Sequence, residues 1–190
     1  MTAAMHLPRL FVRQRIGLGV NRYDVRAANP DGSEGELLAF AQQKRFAMRE
    51  QVTFWADDSR SRPVFSFRAR QVMDVRAQHD VYDEHGRVLG TFGKRFGASL
   101  LRSTWSLTAP GLAATGTERS LPIALLRRVL DSVPFAYHFD FAEDGGGGVV
   151  MSSDRQRSIR DRYDVSVPDP RIDFRLAASV AVALDALQER

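Results

Sequence analysis

Six basic side chains have the clearest chemical use in this chain: Arg13, Arg15, Arg68, Arg70, Lys94 and Arg95, with Arg102 a little further on. Arg13 and Arg15, like Arg68 and Arg70, stand two residues apart, the spacing that puts side chains on one face of a β-strand. A guanidinium presents a planar fork of N–H donors that matches phosphate oxygens. Rows of this kind would attract anionic head groups. An ordinary solvated exterior would carry the same residues, so their convergence in space is what separates the two readings.

Other chemistry is poorly supplied. The chain has no cysteine, which excludes disulfides, thiolate catalysis and Cys-ligated zinc. His6, His79, His85 and His138 lie in unrelated contexts, and neither His-Glu-x-x-His nor Gly-x-Ser-x-Gly occurs. The oxygen-rich stretches Asn29–Glu34 and Asp140–Asp144 do not follow EF-hand spacing and read as turns. Gly145–Gly148 is not followed by Gly-Lys-Ser/Thr and reads as a hairpin tip. No catalytic residue, metal site or cofactor is expected, and the chain reads as something other than an enzyme.

Charge is unevenly spread along the 190 residues. Residues 1–102 hold 17 basic and 11 acidic side chains, whereas residues 103–190 hold 10 and 12. A basic half can draw phosphate, on lipid or nucleic acid. The amino terminus carries no convincing signal peptide and no segment is long enough to span a bilayer. The expectation is a soluble, cytoplasmic chain, peripheral at the inner membrane face if it meets membrane at all.

The elements that must position these cations are mainly strands. Apolar and polar residues alternate through Leu10–Ile16, where Leu10, Val12 and Ile16 share one face and Arg13 and Arg15 the other. Strand-like segments recur at Arg22–Ala28, Leu37–Gln43, Glu50–Ala56, Pro63–Arg70, Ala77–Tyr82, Arg87–Lys94, Arg102–Thr108, Leu112–Thr117, Phe135–Ala142, Val149–Ser153 and Arg160–Val167. Turn chemistry separates many of them, as in Asn29-Pro30-Asp31-Gly32 and Asp83-Glu84-His85-Gly86. A short connecting helix is predicted around Ser120–Leu130. Trp55, Trp105, Phe65, Phe67, Phe92, Phe139 and Phe141 are candidates for the core; aromatics left exposed beside arginines would instead suggest stacking on single-stranded nucleic acid.

One segment breaks the pattern. Arg171–Gln188 reads as a helix, and its centre, Leu176–Leu184, has no polar face. A helix that is apolar all round must be buried on every side. The fold class that follows is mainly β: about twelve antiparallel strands in a barrel that encloses a hydrophobic helix at Phe174–Leu187. Residues 1–190 are expected to form one domain.

The segments Leu10–Gln14, Gln51–Phe54, Val64–Arg70, Val81–Thr91 and Ser103–Leu107 together resemble the tubby carboxy-terminal-like superfamily. Within it the chain is similar to LURP-one-related and phospholipid-scramblase-like proteins. The resemblance implies a twelve-stranded barrel around a hydrophobic carboxy-terminal helix and a non-enzymatic role. Tubby proteins bind phosphoinositides and scramblases act on membrane phospholipids. This sequence departs from the scramblase pattern: it has no proline-rich leader, no cysteine to palmitoylate and too short a terminal helix to insert. Bilayer scrambling is therefore not expected, and no tubby lipid-binding motif carries over. The functional expectation is a binding module for anionic phospholipid head groups. The alternatives are an intracellular adaptor or structural protein with no small ligand, whose partner would be a protein, and, disfavoured because it rests only on a sequence pI of about 9.9, a nucleic-acid binder.

Overall fold

The computed structural model describes residues 5–17, 20–44, 51–70, 78–95, 104–119, 138–156 and 162–188. Twelve strands follow one another: β1 (Arg9–Gly17), β2 (Val20–Ala28), β3 (Glu34–Lys44), β4 (Gln51–Trp55), β5 (Pro63–Ala69) and β6 (Gln78–Asp83), then β7 (Val88–Arg95), β8 (Thr104–Ala109), β9 (Leu112–Glu118), β10 (His138–Glu143), β11 (Val149–Gln156) and β12 (Arg162–Ser166). A helix, α1 (Phe174–Gln188), ends the order. The connecting helix predicted around Ser120–Leu130, and Arg102, lie outside the described residues.

Every strand pairs antiparallel with its sequence neighbour, and β1 pairs with β12 to close the barrel. Closure removes both free edges of the sheet. The expected mainly β barrel around a hydrophobic helix is what the chain forms.

Alternation decides which side chains face the lumen. Leu10, Val12, Tyr23, Val25, Val52, Phe54, Phe65, Phe67, Val81, Phe92, Trp105 and Leu107 are all buried in one core with α1. Leu176, Ala177, Ala178, Val180, Ala181 and Val182 of the helix are wholly inaccessible. Alanine keeps the helix slim enough for the wall to approach closely. Gly90 of β7 marks the tightest approach: a Cβ there would lie 2.4 Å from the Thr108 carbonyl oxygen and 2.6 Å from Leu176 Cδ2.

The helix begins three residues later than the pattern predicts, at a cap. Asp173 Oδ1 accepts the Arg175 backbone N–H at 2.9 Å, and Asp173 Oδ2 accepts the Met5 N–H at 2.9 Å. Three helix residues are polar and buried, Arg175 and Asp185 flanking the central apolar run and Ser179 within it, and each has partners. Arg175 pairs with Asp173 at 2.9 Å and Glu84 at 3.0 Å. Ser179 returns its hydroxyl to the Arg175 carbonyl at 2.8 Å. Asp185 accepts from Tyr23 and Tyr163. Polar contacts thus tie down both ends of a plug whose middle is held by packing.

Candidate functional site

With α1 filling the lumen, the chemistry available to a partner lies on the barrel exterior. The register places each predicted cation. Arg13 and Arg15 lie on the outward row of β1, with Arg13 opposite Asp24 and Arg162, and Arg15 opposite Arg22. Arg68 and Arg70 lie on the outer side of β5 and just beyond it. Three strands, β2, β3 and β4, separate these two pairs, roughly 19 Å along the wall at about 4.8 Å per strand. The two pairs therefore form separate surfaces.

Lys94 requires a correction. It stands opposite Trp105 and two residues beyond the buried Phe92, on the inward set, so it is not part of the outer face. Only Arg95 faces out, and its Nη1 donates to Thr115 Oγ1 at 3.3 Å. Neighbouring residues of a regular strand take opposite faces.

The larger basic surface is one the sequence reading only partly assembled. Closure of β1 against β12 gathers six outward arginines on β12, β1 and β2: Arg162, Arg9, Arg13, Arg15, Arg22 and Arg26. They meet three carboxylates, so the surface keeps an excess of three positive charges. Arg9 pairs with Asp164 at 2.5 Å and Arg15 with Asp24 at 2.9 Å. Glu34 holds Arg13 at 2.8 Å and Arg162 at 3.2 Å. Among the described residues no carboxylate pairs with Arg22. Beneath the cations lies Phe11, outward on β1 yet fully buried, with the Arg162 guanidinium 4.2 Å and that of Arg9 5.2 Å from its ring centre. These cation–π contacts fix the arginines over apolar ground. Arg9, Arg22 and Arg26 share rows that alternation could have found; Arg162 joins only through the closing pair.

The second surface spans β3 to β6. Arg70 is held by Asp80 at 2.8 Å, whereas the Arg68 guanidinium stands 6.0 Å from the Tyr82 ring centre with no carboxylate paired to it among the described residues. Trp55, expected in the core, is half-buried on the outward row, because Val52 and Phe54 take the inward positions of β4. The other predicted core aromatics, Trp105, Phe65, Phe67, Phe92, Phe139 and Phe141, are buried as expected. Trp55 and Thr53 border two open grooves. One, about 520 Å³, runs on past Gln51, Ser66 and Arg68 to Tyr82; the other, about 470 Å³, runs past Gln42 to Ser59 and Arg60.

Titratable groups inside the wall serve the fold. Burial pushes the His79 imidazole below its usual range despite the neighbouring Asp80, and the ring stacks on Phe92 with centres 5.1 Å apart. Burial would raise Asp83, but the N–H groups of Arg87 and His85 and the Arg87 guanidinium outweigh it and hold the carboxyl below its usual range. Among the described residues, no three His, Cys, Asp or Glu side chains are grouped to hold a metal ion. None of the described helices is long and apolar enough to cross a membrane.

A closed twelve-stranded antiparallel barrel with one hydrophobic helix in its lumen is consistent with the tubby-like fold. The chain belongs to the LURP-one-related family, whose model matches residues 38–185. That stretch opens within β3 and closes on Asp185, so β1 and β2 precede it. No curated protein matches the chain in sequence.

Proposed function

We propose that this chain is a single-domain, non-enzymatic binding module that associates with anionic phospholipid head groups through its basic outer face. The observation that carries the reading is the set of six arginines on β12, β1 and β2 facing only three carboxylates. Arg13 and Arg15 belong to it; Arg68 and Arg70 supply a second, smaller basic surface elsewhere on the wall, and Arg95 stands apart on β7. Near an anionic surface each basic residue contributes about 1 kcal/mol. An excess of three charges then supports roughly a hundredfold preference for anionic over neutral membrane. The pairing of β1 with β12 supports one domain over residues 1–190. The filled lumen favours a surface partner over a carried ligand. The location that fits is the cytoplasm, at the inner membrane face.

Sedimentation with neutral and phosphatidylserine-containing vesicles tests this. Binding should be confined to anionic vesicles and weaken as salt rises, because exposed charges are screened beyond about 10 Å at 0.1 M. Replacing Arg13 and Arg22 together with Ser should lower it more than replacing Arg68 and Arg70. Absence of anionic-vesicle binding by the unaltered chain would leave the adaptor reading in its place.

A further inference from the structure

The outer face of β3–β6 has a composition that a basic surface for membranes does not need. Trp55 is a half-buried indole bordering both open grooves, and an unpaired arginine lines each of them: Arg68 on one side, Arg60 on the other. Neither guanidinium pairs with a carboxylate among the described residues; Asp83 and Glu84, which also line the Arg68 groove, are held by Arg87 and Arg175. Arg60 is held in the hairpin between β4 and β5 in a left-handed conformation (φ 55°), with its N–H on the Asp57 carbonyl at 3.3 Å. Gln51 and Thr53 add amide and hydroxyl groups along the outward row of β4.

The sheet itself opens beside them. Among the described residues β3 and β4 pair at Phe40–Trp55 and Ala41–Phe54, whereas β4 and β5 pair at five positions. Among the described residues the ladder runs no further than Ala41–Phe54, and one groove lies beside Gln42 and Thr53. Each groove falls in the size range of small-ligand sites. The open part of a half-buried ring offers stacking, and a guanidinium that no described carboxylate holds offers a bidentate grip on phosphate. A ligand that satisfies both carries a planar ring and a phosphate on one short scaffold.

We infer that the Trp55 face binds phosphorylated nucleosides, with a base against the indole and phosphate on Arg68 or Arg60. Trp55 borders both grooves and each holds one arginine, so the source is either a free nucleotide or a single strand. This surface is separate from the six-arginine face, and neither proposal depends on the other.

The test uses the full chain with four probes: adenosine monophosphate and inositol hexakisphosphate by calorimetry, a labelled eight-nucleotide single strand and its duplex by fluorescence anisotropy. The expected result is binding of the monophosphate, the single strand, or both, which identifies the source, with the duplex weaker. Trp55→Ala should weaken binding about tenfold or more, the weight of one lost base–aromatic stack, while Trp55→Phe retains most of it. Arg68→Ser should weaken it and flatten its salt dependence, since a phosphate contact is removed. Circular dichroism melts confirm that each variant is folded; if Trp55→Ala is not, the Trp55→Phe and Arg68→Ser pair decides. Failure of both nucleotide probes to bind the unaltered chain overturns the inference. So does equal binding by folded Trp55→Ala, or inositol hexakisphosphate binding that Trp55→Ala weakens as much as it weakens the nucleotides. Loss of vesicle binding in the Arg13 and Arg22 variant leaves it untouched.

Discussion

Tyr23 of β2 donates its hydroxyl to Asp185 Oδ2 of α1 at 2.7 Å, across 162 positions of sequence. Tyr163 of β12 donates to the other carboxylate oxygen, and Gln14 Nε2 donates to the Tyr23 hydroxyl at 3.1 Å. Strands from both ends of the barrel order thus grip one carboxylate near the far end of the helix. Hydrogen bonds to charged groups contribute about 1.5–3 kcal/mol each. Tyr23→Phe should lower unfolding free energy by that amount in urea titrations. A loss under about 0.5 kcal/mol would show that the contact is incidental.

Val182 is wholly inaccessible inside the barrel. Val182→Asp would place a carboxylate inside the hydrophobic core. The expected cost is several kcal/mol, at least ~3, because the group must either stay charged in an apolar site or take up a proton. Val182→Ile, which keeps the site apolar, should remain soluble and folded. A soluble Asp variant with an unchanged melt would contradict the plugged barrel.

His79 links stability to pH. Its folded-state pKa lies below the ordinary value of about 6.5, so between those two values the unfolded chain binds a proton that the folded chain does not. Stability should therefore be full above about pH 6.5 and decline as pH falls beneath it. His79→Phe retains a ring against Phe92 and Phe67 and has nothing to titrate. Urea midpoints measured at pH 7.5 and 5.5 should converge in this variant relative to the unaltered chain; an identical slope would remove His79 as the cause.

Gly90→Ala tests how closely wall and plug approach. The added methyl would meet the Thr108 backbone carbonyl, which cannot move without disturbing the β7–β8 ladder, as well as Leu176. The cost should be about 1–3 kcal/mol, typical of overpacking. Gly86→Ala is an instructive control at a turn glycine (φ 78°): it has no neighbour within 4 Å, so any loss there is backbone strain alone. If Gly90→Ala melts with the unaltered chain, the helix does not sit against β7 as described.

Much of this architecture was legible in the sequence. Strand alternation located the twelve strands, and the all-round apolar stretch Leu176–Leu184 required a burial that only a surrounding sheet provides. The same alternation held two signals that were not followed through. Lys94 and Arg95 are adjacent, so they could not share an outer face, and Trp55 is out of phase with Val52 and Phe54. The closing pair β1–β12 is different in kind. Nothing local in Arg9–Gly17 or Arg162–Ser166 says that they touch, so Arg162 could not be placed over Phe11 from periodicity.

That closing pair also dictates the order of events in folding. Antiparallel hairpins from β1 to β11 can form as each leaves the ribosome, because every partner is the next strand made. The lumen has nothing to fill it until α1 emerges, and β1 must wait for β12. Until then a curved sheet with a bare apolar inner face and two open edges has to be kept from self-association. Pairings this distant carry a large loop-closure entropy and slow the final step. The chain should complete its fold only after synthesis of α1, so the interval before the helix emerges is when this topology is most open to aggregation.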